Sequence, residues 1–348
     1  MQPAAMLVVI DGGLLSSQPQ LLEKVTAYAE HYQQAICLKA VPLVVVGGEA
    51  AKNDSAWVEQ IQRLISEVRL CRHSYVVVIG GGAVLDMVGY AAATSHRGVR
   101  LIRVPTTVLA QDDSGIGVKN GVNAFGKKNF LGTFAPPYAV INDADFLRTL
   151  GQRDWIAGVI EAIKVALIKD ADFFQYIEAN TNALVKRELS VMQHVIYRSC
   201  QHHLHHISNC GDPFEMGSSR PLDFGHWAAH RLEHLTNYRL RHGEAVAIGI
   251  ALDSTYAYFA GLLPAEDWRR ILSTLQALGF ALYVPELGAF SEEPEHLQSI
   301  FQGLTEFREH LGGELTLMLL AGIGTGVEVH QINLALYQQA IAYLKTLD

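Results

Sequence analysis

Residues 74–96 read SYVVVIGGGAVLDMVGYAAATSH. A β-branched run ends in Gly80-Gly81-Gly82 and passes directly into a helical pattern. A run apolar on both faces is a strand buried on both faces, as in a parallel sheet covered by helices. Glycines in such a turn let a phosphate approach the backbone and the free N–H groups that begin the helix. A strand-to-helix turn also needs glycine for steric reasons, and the pattern is not GxGxxG, so nucleotide binding and a purely structural turn both stand at this point. Asp86 falls one turn into the helix.

The alternation extends outward from this unit. MLVVIDGG (6–13), VPLVVVGGE (41–49) and VRLIRVPTT (99–107) read as further strands, with LLEKVTAYAEHYQQ (21–34) and AWVEQIQRLISEVRLCR (56–72) as helices between them. From about Asp154 long helical periods take over, among them WIAGVIEAIKVALIKDADFFQYIEAN (155–180) and AVAIGIALDSTYAYFAGL (245–262), with a closing strand expected in ELTLMLLAGIG (314–324). The pattern predicts an α/β domain over 1–150 and a mainly helical domain over 151–348, with the site in the cleft between them.

The 348 residues are 49% hydrophobic and 18% charged, with a net charge of −8 and no basic stripe, which argues against nucleic acid or an anionic membrane as partner. Cys37, Cys71, Cys200 and Cys210 are scattered without CxxC spacing, as in a reduced chain. The start lacks a signal-peptide pattern and no apolar run reaches membrane-span length, so a cytoplasmic protein is expected.

Three stretches carry candidate chemistry. PTTVLAQDDSGIGVKNGVNAFGKKNF (105–130) sets Asp112, Asp113, Lys119, Asn123, Lys127, Lys128 and Asn129 among glycines. Cations and amides at that density suit a phosphorylated polyhydroxy substrate, the alternative being a solvated surface loop. Glu161 and Lys164 stand three apart on an otherwise apolar helix, where a charge is costly unless paired or liganded. LDFGHWAAHRLEHLTNYRLRHGEAV (222–246) holds His226, His230, His234 and His242. With Glu161, two of these would make a metal site with an open position. Trp227 occupies the position that HExxH would give to Glu. Spacing leaves the pairs His226/His230, His226/His242 and His230/His242 open, and HHLHH (202–206) is a further cluster that would equally serve as a polar helix face.

In series, GGGAVLDMVGYAAATSHRGVRLIRVPTT, DDSGIGVKNGVNAFGKKNFLG, GVIEAIK, FGHWAAH and HGEAVAIG resemble the 3-dehydroquinate synthase family of sugar phosphate cyclases, over about Asp11 to Gly324. The resemblance implies a Rossmann-like dinucleotide-binding domain, a helical metal-bearing domain, a homodimer, NAD, and one divalent metal, zinc or cobalt. It implies Glu161, His226 and His242 as metal ligands and His234 as structural. Asp113, Lys119, Asn129, Lys164 and His230 would line a phosphorylated sugar, with Arg97 reaching the phosphate from the partner subunit. Asp11, Glu49, Lys52, Gly81, Gly82, Asp86, Thr106, Thr107 and Lys128 match NAD-contacting positions. The implied reaction oxidises a hydroxyl, eliminates phosphate, restores the hydride and closes a carbocycle by an intramolecular aldol step.

The departures concern positive charge. No Lys or Arg occurs from Gln201 to Ser219, where the family has a lysine that grips a substrate carboxylate. The family arginine falls at Ser219, with Arg220 one step off, and the Asn of LNFGH is Asp223. A Lys-Lys pair gives way to FREHLGGELTL, with Arg308 and His310, closer to synthases that cyclise sedoheptulose 7-phosphate such as 2-epi-5-epi-valiolone synthase. The substrate is then either 3-deoxy-D-arabino-heptulosonate 7-phosphate or sedoheptulose 7-phosphate. A metal-dependent polyol dehydrogenase related to glycerol dehydrogenase, and a non-catalytic scaffold, are the competing readings.

Overall fold

Leu7, Val8, Val9 and Ile10 are all buried, the even and odd positions in different apolar clusters on the two sides of one sheet. That explains the uninterrupted apolar run: neither side of this strand faces water. The computed structural model describes residues 3–125, 127–209, 214, 221–310, 313 and 315–347. Cys210, Ser219 and Arg220 lie outside them, as does the side chain of His310.

The chain forms two compact units, one running to Gly151 and including His206–Ser208, the other made of Gln152–His205 and the chain from Asn209 onward. The first holds β1 (Ala4–Asp11), β2 (Ile36–Leu38), β3 (Leu43–Val45), β4 (Tyr75–Gly80), β5 (Arg100–Pro105), β6 (Lys119–Ala124), β7 (Lys127–Phe134) and β8 (Ala139–Val140). Its helices are α1 (Leu21–His31), α2 (Ala50–Asn53), α3 (Ser55–Glu67) and α4 (Gly82–Thr94). The main sheet runs β2-β1-β4-β5-β8 with β3 beside β1, and every pairing in it is parallel. The Rossmann-like expectation therefore holds. The short strands β2 and β8 carry no signal in the sequence reading.

The polar stretch 105–130 is more ordered than the loop its composition suggests. A turn of π-helix, Ala110–Ser114, leads into β6 and β7, an antiparallel hairpin. Arg103 on β5 is fully buried and holds the connection. Its guanidinium donates to the carbonyls of Gly115 (3.0 Å), Gly117 (2.7 Å) and Lys119 (3.1 Å) and to the Asn120 side chain (2.7 Å). Gly89 on α4 leaves the room this needs, since a Cβ there would overlap the Asn120 amide.

The second unit is helical: α5 (Gln152–Ala157), α6 (Val159–Lys169), α7 (Ala171–Ala179), α8 (Thr181–Val185), α9 (Leu189–Asn209), α10 (His226–Leu235), α11 (His242–Phe259), α12 (Ala265–Ala277), α13 (Pro285–Gly288), α14 (Gln302–His310) and α15 (Leu334–Lys345). The expected closing strand is β9 (Leu317–Gly322), paired antiparallel with β10 (Thr325–Val329). Helices α6 and α11 are buried nearly all round, as their predominantly apolar sequences require, and α11 packs on α6, α10, α12 and α15. Among the described residues no helix is long and apolar enough to cross a membrane.

Candidate metal centre and nucleotide turn

Three helices deliver the candidate ligands in the second unit. Glu161 comes from the first turn of α6, His226 opens α10 and His242 opens α11. The Nε2 atoms of His242 and His226 lie 3.4 and 3.9 Å from Glu161 Oε1, and one donor atom from each residue falls within 4.8 Å of the others. Ligands on tetrahedral zinc at bond lengths near 2.1 Å stand about 3.4 Å apart, so this set needs little adjustment to close on an ion.

The far side of each imidazole is already engaged. His226 Nδ1 lies 3.0 Å from the Phe224 carbonyl and His242 Nδ1 3.2 Å from Glu233 Oε2. An acceptor at Nδ1 fixes the tautomer that leaves the Nε2 lone pair free, the arrangement found behind metal-bound histidine. Glu161 is buried and neither carboxylate oxygen receives a well-formed hydrogen bond, although Lys164 is ion-paired to it. Burial opposes its charge, but Lys164, with His242 and His226, holds the carboxyl well below the usual range. Burial and then Lys164 push the His226 imidazole down, which keeps it neutral and able to ligate. The donor set fits a divalent cation.

His230, one turn beyond His226, is exposed, with its ring 5.5 Å from that of His226 and 5.9 Å from that of His242. A second arrangement of donors, His230, Glu233 and His242, shares His242 with the first. His234 is exposed near the end of α10. In HHLHH, His202 binds Asp170, which also pairs with Arg198 and caps the start of α7, so that histidine serves the helix packing. Glu233 is the residue the sequence reading passed over. Its signal is the spacing His230-x-x-Glu233, which puts it on the face of α10 that carries His226 and His230.

In the first unit the Gly80-Gly81-Gly82 turn caps α4. Gly81 is the N-cap, a Cβ on Gly82 would press on Ser114 Oγ at 2.7 Å, and one on Gly81 would meet Thr107 Cγ2 at 3.3 Å. Asp11, at the end of β1, accepts from the backbone N–H of Gly13 at 2.8 Å and faces that of Gly81 at 3.5 Å. Buried Lys52 pairs with Asp86 at 2.7 Å and also reaches the side chain of Asn129. Asn123 joins Glu49 (2.7 Å) to the backbone of Asn129 (2.8 Å). Thr107 Oγ1 accepts from Ala110 N, and Thr106 is buried beside the turn.

These contacts bring Asp11, Gly81 and Gly82 into one group, and Glu49, Lys52, Asp86 and Asn129 into another. Asp113 lies in the π-turn, Lys119 begins β6 and Lys128 is on β7. Arg97 is exposed at the opposite end of α4 from the glycine turn, so within this chain it joins neither group.

The model for the 3-dehydroquinate synthase N-terminal domain matches residues 42–157, and that for the 3-dehydroquinate synthase C-terminal domain matches residues 158–302. The chain belongs to the 3-dehydroquinate synthase family. It is a lyase-type sugar phosphate cyclase, and the fold described above is that of this family. A 3-dehydroquinate synthase from Dichelobacter nodosus (strain VCS1703A) is 34% identical over 296 residues, 85% of this chain and 78% of that protein. ValA, the 2-epi-5-epi-valiolone synthase of Streptomyces hygroscopicus subsp. jinggangensis 5008, was solved with NAD+ and Zn2+ bound. It superposes with a TM-score of 0.89 at 30% identity over 100% of this chain and 92% of that one. A 2-deoxy-scyllo-inosose synthase solved with carbaglucose-6-phosphate, NAD+ and Co2+ shares the fold at a TM-score of 0.77 and 24% identity, over 98% of this chain and 90% of that one.

Proposed function

We propose that this family member is an NAD- and divalent-metal-dependent cyclase of a heptulose 7-phosphate whose far end is a neutral hydroxymethyl group, as in sedoheptulose 7-phosphate. Glu161, His226 and His242 would hold the metal. The observation that carries this is the pair of histidines with Nδ1 engaged and Nε2 turned toward the buried Glu161 carboxylate. A divalent ion held there would supply Lewis acidity toward a sugar hydroxyl, and bound NAD would supply reversible hydride transfer.

The chain's own residues do the rest. Lys164 keeps Glu161 ionised, and the exposed His230 imidazole stands ready to take a proton beside the ligands. The α4 N-terminus and its glycines accept the dinucleotide, with Asp11, Glu49, Lys52, Asp86, Thr106, Thr107 and Lys128 about it. Asp113, Lys119, Asn129 and Lys164 line the substrate, and Arg97 acts across a homodimer.

Choice of substrate follows from charge. The family lysine that grips a carboxylate has no counterpart between Gln201 and Ser219, and Asp223 acts electrostatically on His226. A substrate carboxylate about 5 Å from Asp223 would meet a repulsion of roughly 3 kcal/mol at an effective dielectric constant near 20. Identity to 3-dehydroquinate synthases favours the heptulosonate instead, and one assay separates the two. Purified protein with NAD and zinc or cobalt is offered each heptulose phosphate while phosphate and NADH are followed. Phosphate from sedoheptulose 7-phosphate alone, without NADH accumulation, is the expected result. Phosphate from the heptulosonate refutes the charge argument, and accumulating NADH marks a polyol dehydrogenase. Release from neither substrate sinks the reading.

A further inference from the structure

Asp253 lies on α11 about three turns beyond His242 and is 1% exposed. Its carboxylate accepts three hydrogen bonds, from the Trp227 indole at 2.9 Å, the Tyr337 hydroxyl at 2.9 Å and the backbone N–H of Gly225 at 3.2 Å. All three donors are neutral. A buried carboxylate held by neutral groups costs far more than a buried alkyl side chain unless every donor is well placed. Two of the three donors flank His226 in the chain. Gly225 is the N-cap of α10, in the left-handed region at φ 76°, and no side chain caps that helix from its own segment. Below the same turn, α11 comes so close that a Cβ on Gly249 would fall 2.0 Å from the Gly225 carbonyl oxygen. The first turn of α10 is thus clamped to α11 by a backbone contact on one side and a carboxylate on the other.

We infer that Asp253 is a positioning residue for the metal centre: it sets the rotation and depth of the first turn of α10, so that His226 Nε2 faces Glu161 and His242 before any ion arrives. This rests on the reading of Glu161, His226 and His242 as metal ligands. The third donor supplies an internal control. Tyr337 belongs to α15; its hydroxyl bonds the same carboxylate while its ring packs edge-on against Trp227 at 5.3 Å, so Tyr337→Phe removes the hydrogen bond and keeps the ring contact. A purely structural Asp253 treats the three donors alike, whereas a positioning Asp253 does not.

The test uses full-length protein stripped of metal. Cobalt and zinc affinities are measured by chelator competition, the visible spectrum of the cobalt form is recorded, and the metal-free unfolding midpoint is taken. Asp253→Asn must turn an amide N–H toward one donor, and Trp227→Phe removes the donor next to His226. Both are expected to weaken metal binding on the order of tenfold and to alter the cobalt spectrum. Tyr337→Phe is expected to lower the unfolding midpoint while leaving affinity and spectrum as in the wild type. Trp227→Phe decides the matter if Asp253→Asn does not fold. Unchanged metal affinity in the first two variants, or an equal loss in Tyr337→Phe, overturns the role of Asp253 alone. Failure of the wild-type protein to bind cobalt or zinc overturns it together with the metal reading beneath it.

Discussion

Lys164 stands against the carboxylate that a cation would share, so the two compete for Glu161. Removing the lysine strands a buried charge, a loss of about 3–5 kcal/mol in the metal-free protein. Lys164→Met should therefore unfold at lower temperature without metal, and zinc should raise its midpoint by more than it raises the wild type's. An equal zinc shift in both proteins would mean that Glu161 is not a ligand. Glu233→Gln tests the other side of His242: losing the carboxylate behind Nδ1 should weaken metal binding about 10–100-fold with little effect on metal-free stability. Asp223→Asn addresses selectivity. If repulsion by Asp223 excludes a carboxylate, the variant should gain turnover of the heptulosonate relative to sedoheptulose 7-phosphate, read as a ratio of kcat/KM values.

Helix α11 is the element on which the site depends. His242 is its first residue, and Gly243 next to it has no room for a side chain, since a Cβ would fall 2.0 Å from the Ala157 carbonyl oxygen at the end of α5. Gly243→Ala must push α11 away from α5. The expected cost is about 1–3 kcal/mol, seen as a lower denaturation midpoint, with a loss of metal affinity because His242 moves with its helix. Retained affinity would show that the helix start adjusts independently of the packing. The same dependence explains why spacing within 222–246 could not choose the ligands. Which two histidines share a centre is decided by how α10 meets α11 and α6, contacts between residues far apart in sequence. The candidate set of Glu161, His226 and His242 comes from resemblance to a family, not from periodicity. His226 and His230 are neighbours on one helix face, yet His226 is turned to Glu161 and His230 is exposed.

Across the whole molecule, stability should carry the titration of one carboxyl. Burial raises Asp253 to about 7, while the Trp227, Tyr337 and Gly225 donors oppose the rise. An acid whose folded pKa lies above its unfolded value near 3.9 binds its proton more tightly in the native state. Its stabilising contribution is complete below the unfolded value and is lost as pH rises through about 7, by up to about 4 kcal/mol. Urea unfolding of metal-free protein should show the wild type losing its advantage over Asp253→Asn between pH 4 and 8. A difference independent of pH would mean the carboxyl ionises normally. The parallel sheet was readable because its central strands are buried on both faces and so uniformly apolar. The hairpin Lys119–Phe134 was not, because its strands mix glycine with polar side chains, and much of β7 is exposed. Strands β2 and β8, three and two residues long, are defined by the neighbours they pair with and not by their own sequence.

The buried guanidinium of Arg103 gives that hairpin a property its composition hides. Its two terminal nitrogens donate to carbonyls from Gly115 to Lys119 and to the Asn120 side chain, so swinging the turn outward would strip a cation in the end of an apolar sheet of most of its partners. The segment bearing Asp113 is therefore coupled to unfolding of the sheet itself. Its amides should exchange with solvent as slowly as those of β4 and β5.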